Sequence, residues 1–224
     1  MRRFLKQQSL SIVFLVLFLG ALTGQAIAGH ADFNEQQVRH GDPEISLSRY
    51  LVSSEFGVDV MENWQSEYLQ FTLLILLTVW LLQRGSPESK ELDKGGRESD
   101  QQQKVGPYAQ QNSPRWAKVG GIRRTIYENS LVLVMGGIWL GTWFAQSVAG
   151  VAQYNSDLLD HHLHTISWWH YLGEPDFWSR TLQNWQSEFL AVGSMAILAV
   201  YLRQRGSPES KPVGAPHTST GVEG

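Results

Sequence analysis

The 224-residue chain contains no cysteine. That excludes a disulfide scaffold, a cysteine-ligated zinc site, an iron–sulfur cluster and a thiol nucleophile. Charge is sparse: 17% of residues are Asp, Glu, Lys or Arg, and the formal net charge is −3. So small an imbalance does not suit a nucleic-acid binder. There is no nucleophile elbow, phosphate loop, dinucleotide fingerprint or H-E-x-x-H pair, so no residue stands out as catalytic. The expectation is a non-enzymatic protein without a cofactor.

What is present is apolar and aromatic. Hydrophobic residues make up 42% of the chain, with nine Trp. The mean hydropathy of −0.21 resembles that of a soluble protein, but the apolar residues fall into four blocks. They are Leu10–Ala28, Tyr68–Leu82, Leu131–Ala152 and Phe189–Leu202. The first and third have no polar face and approach the roughly 20 residues that span hydrocarbon. The second and fourth are short. Taken alone, they also suit buried helices of a soluble domain.

The chain repeats itself. Asn63-Trp64-Gln65-Ser66-Glu67 returns at Asn184–Glu188, and the eight residues Gln83–Lys90 return identically at Gln204–Lys211. Both matches have an offset of 121. The same gapless offset pairs Ser9-Leu10 with Ser130-Leu131, Gln25 with Gln146, Ala28-Gly29 with Ala149-Gly150, and Tyr50-Leu51 with Tyr171-Leu172. This reads as an internal duplication of a helix–loop–helix unit. The predicted fold is an all-α membrane protein of four transmembrane helices in two tandem hairpins. Residues 1–90 form the first repeat and 122–211 the second. A flexible linker (91–121) joins them, and a disordered tail (212–224) follows.

The repeat also bears on the N-terminus. A basic start, an apolar core and Ala26-Ile27-Ala28 resemble a cleavable signal peptide. The equivalent third block is internal and carries Ser147-Val148-Ala149 at the same place, which favours a retained helix over cleavage after Ala28. Fifteen Lys and Arg lie at the termini and in the linker, against three in the other two loops. The positive-inside rule then puts both termini and the linker in the cytoplasm. Localisation is a cell membrane, multi-pass, with the lipid bilayer as the first partner. A homo-oligomer or a membrane-complex partner is possible, and nucleic acid is not expected.

Four features carry candidate chemistry. Asn63 and Glu67 share a helix face, as do Asn184 and Glu188. Placed at the outer membrane boundary, these carboxylates would bind a cation or carry protons, or else anchor the helix at the interface. Phe56, Val60, Trp64 and Tyr68, with their counterparts Phe177, Thr181, Trp185 and Phe189, mark one face of helices that start near Ser54 and Pro175 and stop near Gly85 and Gly206. Asp157, Asp160, His161 and His164 have spacing compatible with a metal, although only His161 has a matching residue, His40, in the first repeat. A solvated polar helix face is the plainer reading. Gly20, Gly24 and Ala28, with Gly137, Gly141, Ala145 and Ala149, form small-residue ridges through which helices one and three would pack, with Gln25 and Gln146 bonding across the bundle. Lastly, Arg84–Lys90 and Arg205–Lys211 read either as a docking or phosphorylation sequence or as a helix stop followed by a turn.

NWQSE, QRGSPESK, AGHADFN at 28–34 and SPRWA at 113–117 together carry a resemblance. The chain resembles an uncharacterised bacterial multi-pass membrane protein family, a domain of unknown function, over nearly its whole length. The resemblance implies a membrane location and supplies no activity, substrate or site residue. Three functions follow as expectations: a small transporter, channel or structural membrane component; an outer-face metal-binding protein using the Asp157–His170 stretch; or an accessory subunit of a larger complex.

Overall fold

A computed structural model describes residues 2–222. The first residue of the first repeat and the last two of the tail lie outside the described residues. Helices dominate, and no strand occurs among the described residues. In chain order they are α1 (Arg2–Gln7), α2 (Ser9–His40), α3 (Leu47–Tyr50), α4 (Ser54–Leu77), α5 (Ile122–Glu128), α6 (Ser130–Asp160), α7 (Trp168–Tyr171) and α8 (Pro175–Tyr201). Two of them, α2 and α6, are long and apolar enough to cross a membrane by length and composition. The short blocks two and four do not reach that standard, because half of α4 and of α8 is polar.

The starts of α4 and α8 fall at Ser54 and Pro175, the positions the sequence suggests. Their ends do not. α4 stops at Leu77 and α8 at Tyr201, short of Gly85 and Gly206. In α4 the last turn tightens at Thr78, whose hydroxyl donates to the Leu74 carbonyl at 2.6 Å and competes with continued helix. Both glycines do adopt the left-handed conformation, φ 87° and 81°, but as turn residues beyond the helices. The outer loops begin later than the apolar blocks imply. α2 runs to His40 and α6 to Asp160, each past its apolar block. Gly41 (φ 86°) and His162 (φ 58°), one repeat apart, reverse the chain there.

The chain divides into two compact units. One holds the residues up to Val60 with Ala145–Trp168; the other holds Met61–Phe144 with Trp169 onward. The first unit is organised by an asparagine used twice. The Asn34 side chain accepts from the Ile45 amide at 2.9 Å and donates to the Ile45 carbonyl at 3.0 Å. One repeat later, Asn155 does the same to Ile166 at 2.8 and 3.0 Å. Each clip pins the extended segment after a long helix back onto that helix. Tyr50, 2% exposed, fills the space beneath the first clip against Phe33 and Phe56. A Cβ at Gly29 would strike its hydroxyl.

The second unit is organised by aromatic packing. Trp139 and Trp143 stack along α6 with centroids 6.0 Å apart, and Trp143 meets Phe177 and Trp185 of α8. The Trp143 indole donates to Thr181 at 3.3 Å. Such contacts add about 0.5–1.5 kcal/mol each beyond the area they bury. The predicted face of α8 is thus occupied by α6 through Phe177, Thr181 and Trp185.

The asparagine clips give a test. Replacing Asn155 or Asn34 with Ala removes two side-chain bonds to half-buried backbone, at about 1 kcal/mol each. Thermal melting in mild detergent should show each variant destabilised by about 2 kcal/mol. Asn→Asp keeps the acceptor but sets a carboxylate oxygen against the isoleucine carbonyl, so it should not restore the lost stability.

Candidate functional site: a polar seam between two parallel helices

Within the second unit, α4 and α8 lie side by side and parallel, because three contacts follow one another along both. Arg180 reaches Glu62 at 3.5 Å. The Trp185 indole donates to the Gln65 side-chain oxygen at 2.8 Å. The Ser66 hydroxyl donates to a Glu188 oxygen at 3.2 Å. Gln65 and Ser66 are fully buried, 0% and 1% exposed. Arg180 also pairs with Asp176, one turn earlier, at 3.3 Å, and Asp176 accepts from the buried Tyr171 hydroxyl at 2.9 Å. The result is a continuous polar seam: Tyr171, Asp176, Arg180, Glu62, then Gln65 with Trp185, then Ser66 with Glu188.

The seam lies in the middle of these helices. Trp185 packs on Trp139 and Trp143, and a Cβ at Gly136 would lie 3.6 Å from Thr72. Glu67 precedes Thr72 by five residues, and Glu188 follows Trp185 by three, about 7.5 and 4.5 Å of helical rise. Both carboxylates therefore lie midway along their helices, about one turn from the contacts with α6.

The seam carries excess negative charge. Glu62, Glu67, Asp176 and Glu188 face one cation, Arg180, which is paired to Glu62 and Asp176. Among the described residues no Lys, Arg or His forms an ion pair with Glu67 or Glu188, and the two carboxylates are close enough to repel. Asn184 turns inward on its own helix, bonding the Arg180 carbonyl at 3.0 Å, and Asn63 is exposed. The sequence reading singled out Glu67 and Glu188 but missed Arg180, Glu62, Gln65 and Ser66. The i,i+4 pair Asp176–Arg180, carrying one of only three basic residues in the outer loops, was the available signal.

The other candidates fare differently. α6 ends at Asp160, so His164 lies beyond the helix and does not share a face with Asp160. His161 donates from Nδ1 to the Asp157 carbonyl at 2.8 Å, and His170 faces Glu174 at 3.2 Å. Among the described residues no three His, Asp or Glu side chains gather closely enough to hold a metal ion. A Cβ placed at Gly20, Gly24, Gly137 or Gly141 meets nothing within 4 Å, whereas Ala149 lies against Gly57 of α4 at 3.5 Å. Gln146 is buried, yet neither of its amide atoms has a hydrogen-bond partner.

The repeated Arg-Gly-Ser-Pro-Glu-Ser-Lys segment forms the same loop twice. The Ser89 and Ser210 hydroxyls accept from the Gln83 and Gln204 amides, each at 2.9 Å. Lys211, 1% exposed, donates to the carbonyls of Pro216, His217 and Ser219, and Lys90 to that of Gly96. The tail, for which disorder was expected, is folded back by these bonds. It reaches the first loop, where Gly221 donates to the Ser86 carbonyl and Gly85 to the Thr220 hydroxyl. Ser86 is buried, which suits a structural loop rather than a modification site.

A scan of family models matches residues 1–222 to a family described as a domain of unknown function (DUF6766). The chain belongs to that family. No curated protein and no solved structure matches it. A family member of this kind gives no activity to transfer, so the seam has to be read from its own chemistry.

Two predictions follow from this geometry. Arg180→Met leaves Glu62 and Asp176 facing each other without a cation. Discounted for partial exposure, the cost is about 2 kcal/mol in detergent melting, and adding Glu62→Gln should recover part of it. The second concerns the loops. Glu88, although exposed as a residue, has its carboxyl raised from 4.5 to about 7. Loss of water around it is the first cause, followed by the hydrogen bond and the charge of Glu209, its counterpart one repeat later. A folded value above the unfolded one means that the stabilisation is complete at acid pH and disappears as pH rises through about 7. Hydrogen exchange at Gly85 and Gly221 should therefore accelerate between pH 6 and 8 beyond the intrinsic rate, and Glu88→Gln should remove the excess.

Proposed function

We propose that this is a four-span membrane protein, built by duplication, with both termini in the cytoplasm, and that it binds or passes protons or small cations at the Glu67–Glu188 pair. The observation that carries the reading is the uncompensated charge of these two carboxylates. They occupy equivalent positions in two copies of one motif, Glu188 is close enough to repel a charge on Glu67, and in a membrane a bare carboxylate is costly. A cation or a shared proton removes that cost. Ser66, donating to Glu188, orients one of the pair. Arg180 does not neutralise them, because Glu62 and Asp176 already hold it.

A structural membrane component is the second reading. The bonds from Ser66, Trp185 and Arg180 are what polar residues provide when they hold helices together in lipid, at roughly 0.5–2 kcal/mol each. The outer-face metal reading draws no support from the Asp157–His170 stretch, whose side chains do not converge.

The readings separate in proteoliposomes loaded with a pH-sensitive dye and given a potassium diffusion potential. Proton or cation entry should occur with the natural chain and fall to the protein-free level in the Glu67→Gln, Glu188→Gln double variant. Wild-type flux equal to that of empty liposomes, or flux unaffected by the double substitution, overturns the transport reading.

A further inference from the structure

The linker ends in a small folded piece just ahead of α6. A turn of 3₁₀ helix at Arg115–Ala117 packs against α5. Gly121 (φ 70°) turns the chain between the two. Arg124 marks the inner side of α5, where it pairs with Glu128 at 2.5 Å and with Asp100. The outer side is both apolar and basic. Trp116, Val119, Ile122, Ile126 and Tyr127 are exposed, Ile122 at 72%. Among them stand Arg115, Lys118 and Arg123, exposed as well.

The charge on this surface is not neutralised nearby. No acidic residue lies between Asp100 and Glu128, and Arg124 already holds both of those. Arg115, Lys118 and Arg123 form no ion pair among the described residues, and Lys118 donates to the Gln111 carbonyl at 2.5 Å. A face that mixes indole and aliphatic groups with such cations suits the boundary of an anionic bilayer, which offers hydrocarbon beside phosphate. Its position fits that boundary. The apolar run of α6 starts at Leu131, five residues beyond Ile126, or about 7.5 Å of helical rise. The headgroup layer on each side of the hydrocarbon is about 5–7 Å deep. Asn129 (φ −112°, ψ 9°) breaks the helix, so α5 is not a straight extension of α6. The first repeat is built alike. α1 carries the exposed Phe4 and Leu5 with Arg3 and Lys6, and the chain breaks at Gln8 (φ −113°, ψ 15°), the counterpart of Asn129, before α2 begins.

We infer that the surface from Arg115 to Tyr127 is a docking site for anionic lipid headgroups on the cytoplasmic side of the bilayer. Ile122 and Ile126, four residues apart on one face of α5, enter the headgroup boundary with Trp116. Arg115, Lys118 and Arg123 pair with lipid phosphates. The end of the linker is thereby held on the membrane, next to the point where α6 enters it. The inference rests on the reading that α6 crosses the membrane with the linker in the cytoplasm. It does not depend on transport at Glu67 and Glu188.

The absence of cysteine makes the test direct. Ile122→Cys is labelled with a polarity-sensitive fluorophore, and the full chain is reconstituted in vesicles of phosphatidylcholine with or without phosphatidylglycerol. A separate label at Val134→Cys, an exposed apolar position of α6, reports whether that helix is in lipid. The expected result at position 122 is blue-shifted emission, quenched by lipid-borne spin labels, in the phosphatidylglycerol vesicles and water-like emission in pure phosphatidylcholine. The shift should reverse in about 1 M salt, where charges are screened beyond about 3 Å. It should also be lost in the Arg115→Gln, Lys118→Gln, Arg123→Gln variant, because three such cations together favour docking by about 100-fold. The salt arm uses the unsubstituted surface and decides the matter if that variant fails to insert. Water-like emission at 122 in both vesicle types, with 134 in lipid, overturns the docking site and leaves the crossing of α6 intact. Water-like emission at both positions overturns the membrane reading as well. An equal blue shift at 122 in both vesicle types, unmoved by salt, also overturns the proposal, since docking would then owe nothing to charge.

Discussion

Arg180 lies between Glu62 and Asp176, on helices whose flanking surfaces are apolar, and much else follows from the need to keep it there. A half-buried guanidinium is held by carboxylates at hydrogen-bonding distance, and breaking one side leaves a charge less well compensated. Holding Arg180 against Glu62 sets the register of α4 against α8. That register brings Gln65 to Trp185 and Ser66 to Glu188, and in doing so sets Glu67 and Glu188 near each other. The aromatic stack on α6 packs against the same stretch of α8 through Trp185.

Exact repetition in sequence does not give exact repetition in contacts. Where a feature is local, both copies match. Asn34 and Asn155 clip the same backbone groups, and the two glycine-serine-proline loops close through the same serine-to-amide bond. Where a feature joins two helices, each copy can supply only one side of it, so Gln65 and Ser66 are buried while Gln186 and Ser187 are exposed.

The same distinction sorts what was legible in the sequence. The starts of α4 and α8 were readable, because the four-residue spacing from Phe56 and Phe177 continues a helix outward past its apolar block. The place of Glu67 and Glu188 midway along these helices was not. Apolar blocks mark where side chains are greasy, and the polar outer half of each helix disguised its extent. The helix ends failed for a related reason: Gly85 and Gly206 are left-handed, but they serve turns of the following loops. Spacing suggested that Asp160 and His164 share a face, and the reversal at His162 breaks that spacing. The partners of the seam depend on long-range register, which no local pattern encodes.

The account stands on α4 and α8 crossing the membrane. Single cysteines introduced on either side of α4, at the exposed Val52 and Arg84, test this with a membrane-impermeant thiol reagent applied to intact cells and to inverted vesicles. The account predicts that Val52→Cys reacts only from outside and Arg84→Cys only from the cytoplasmic side. Labelling of both from the same side would mean that α4 does not cross, and would contradict the placement of the seam within the bilayer.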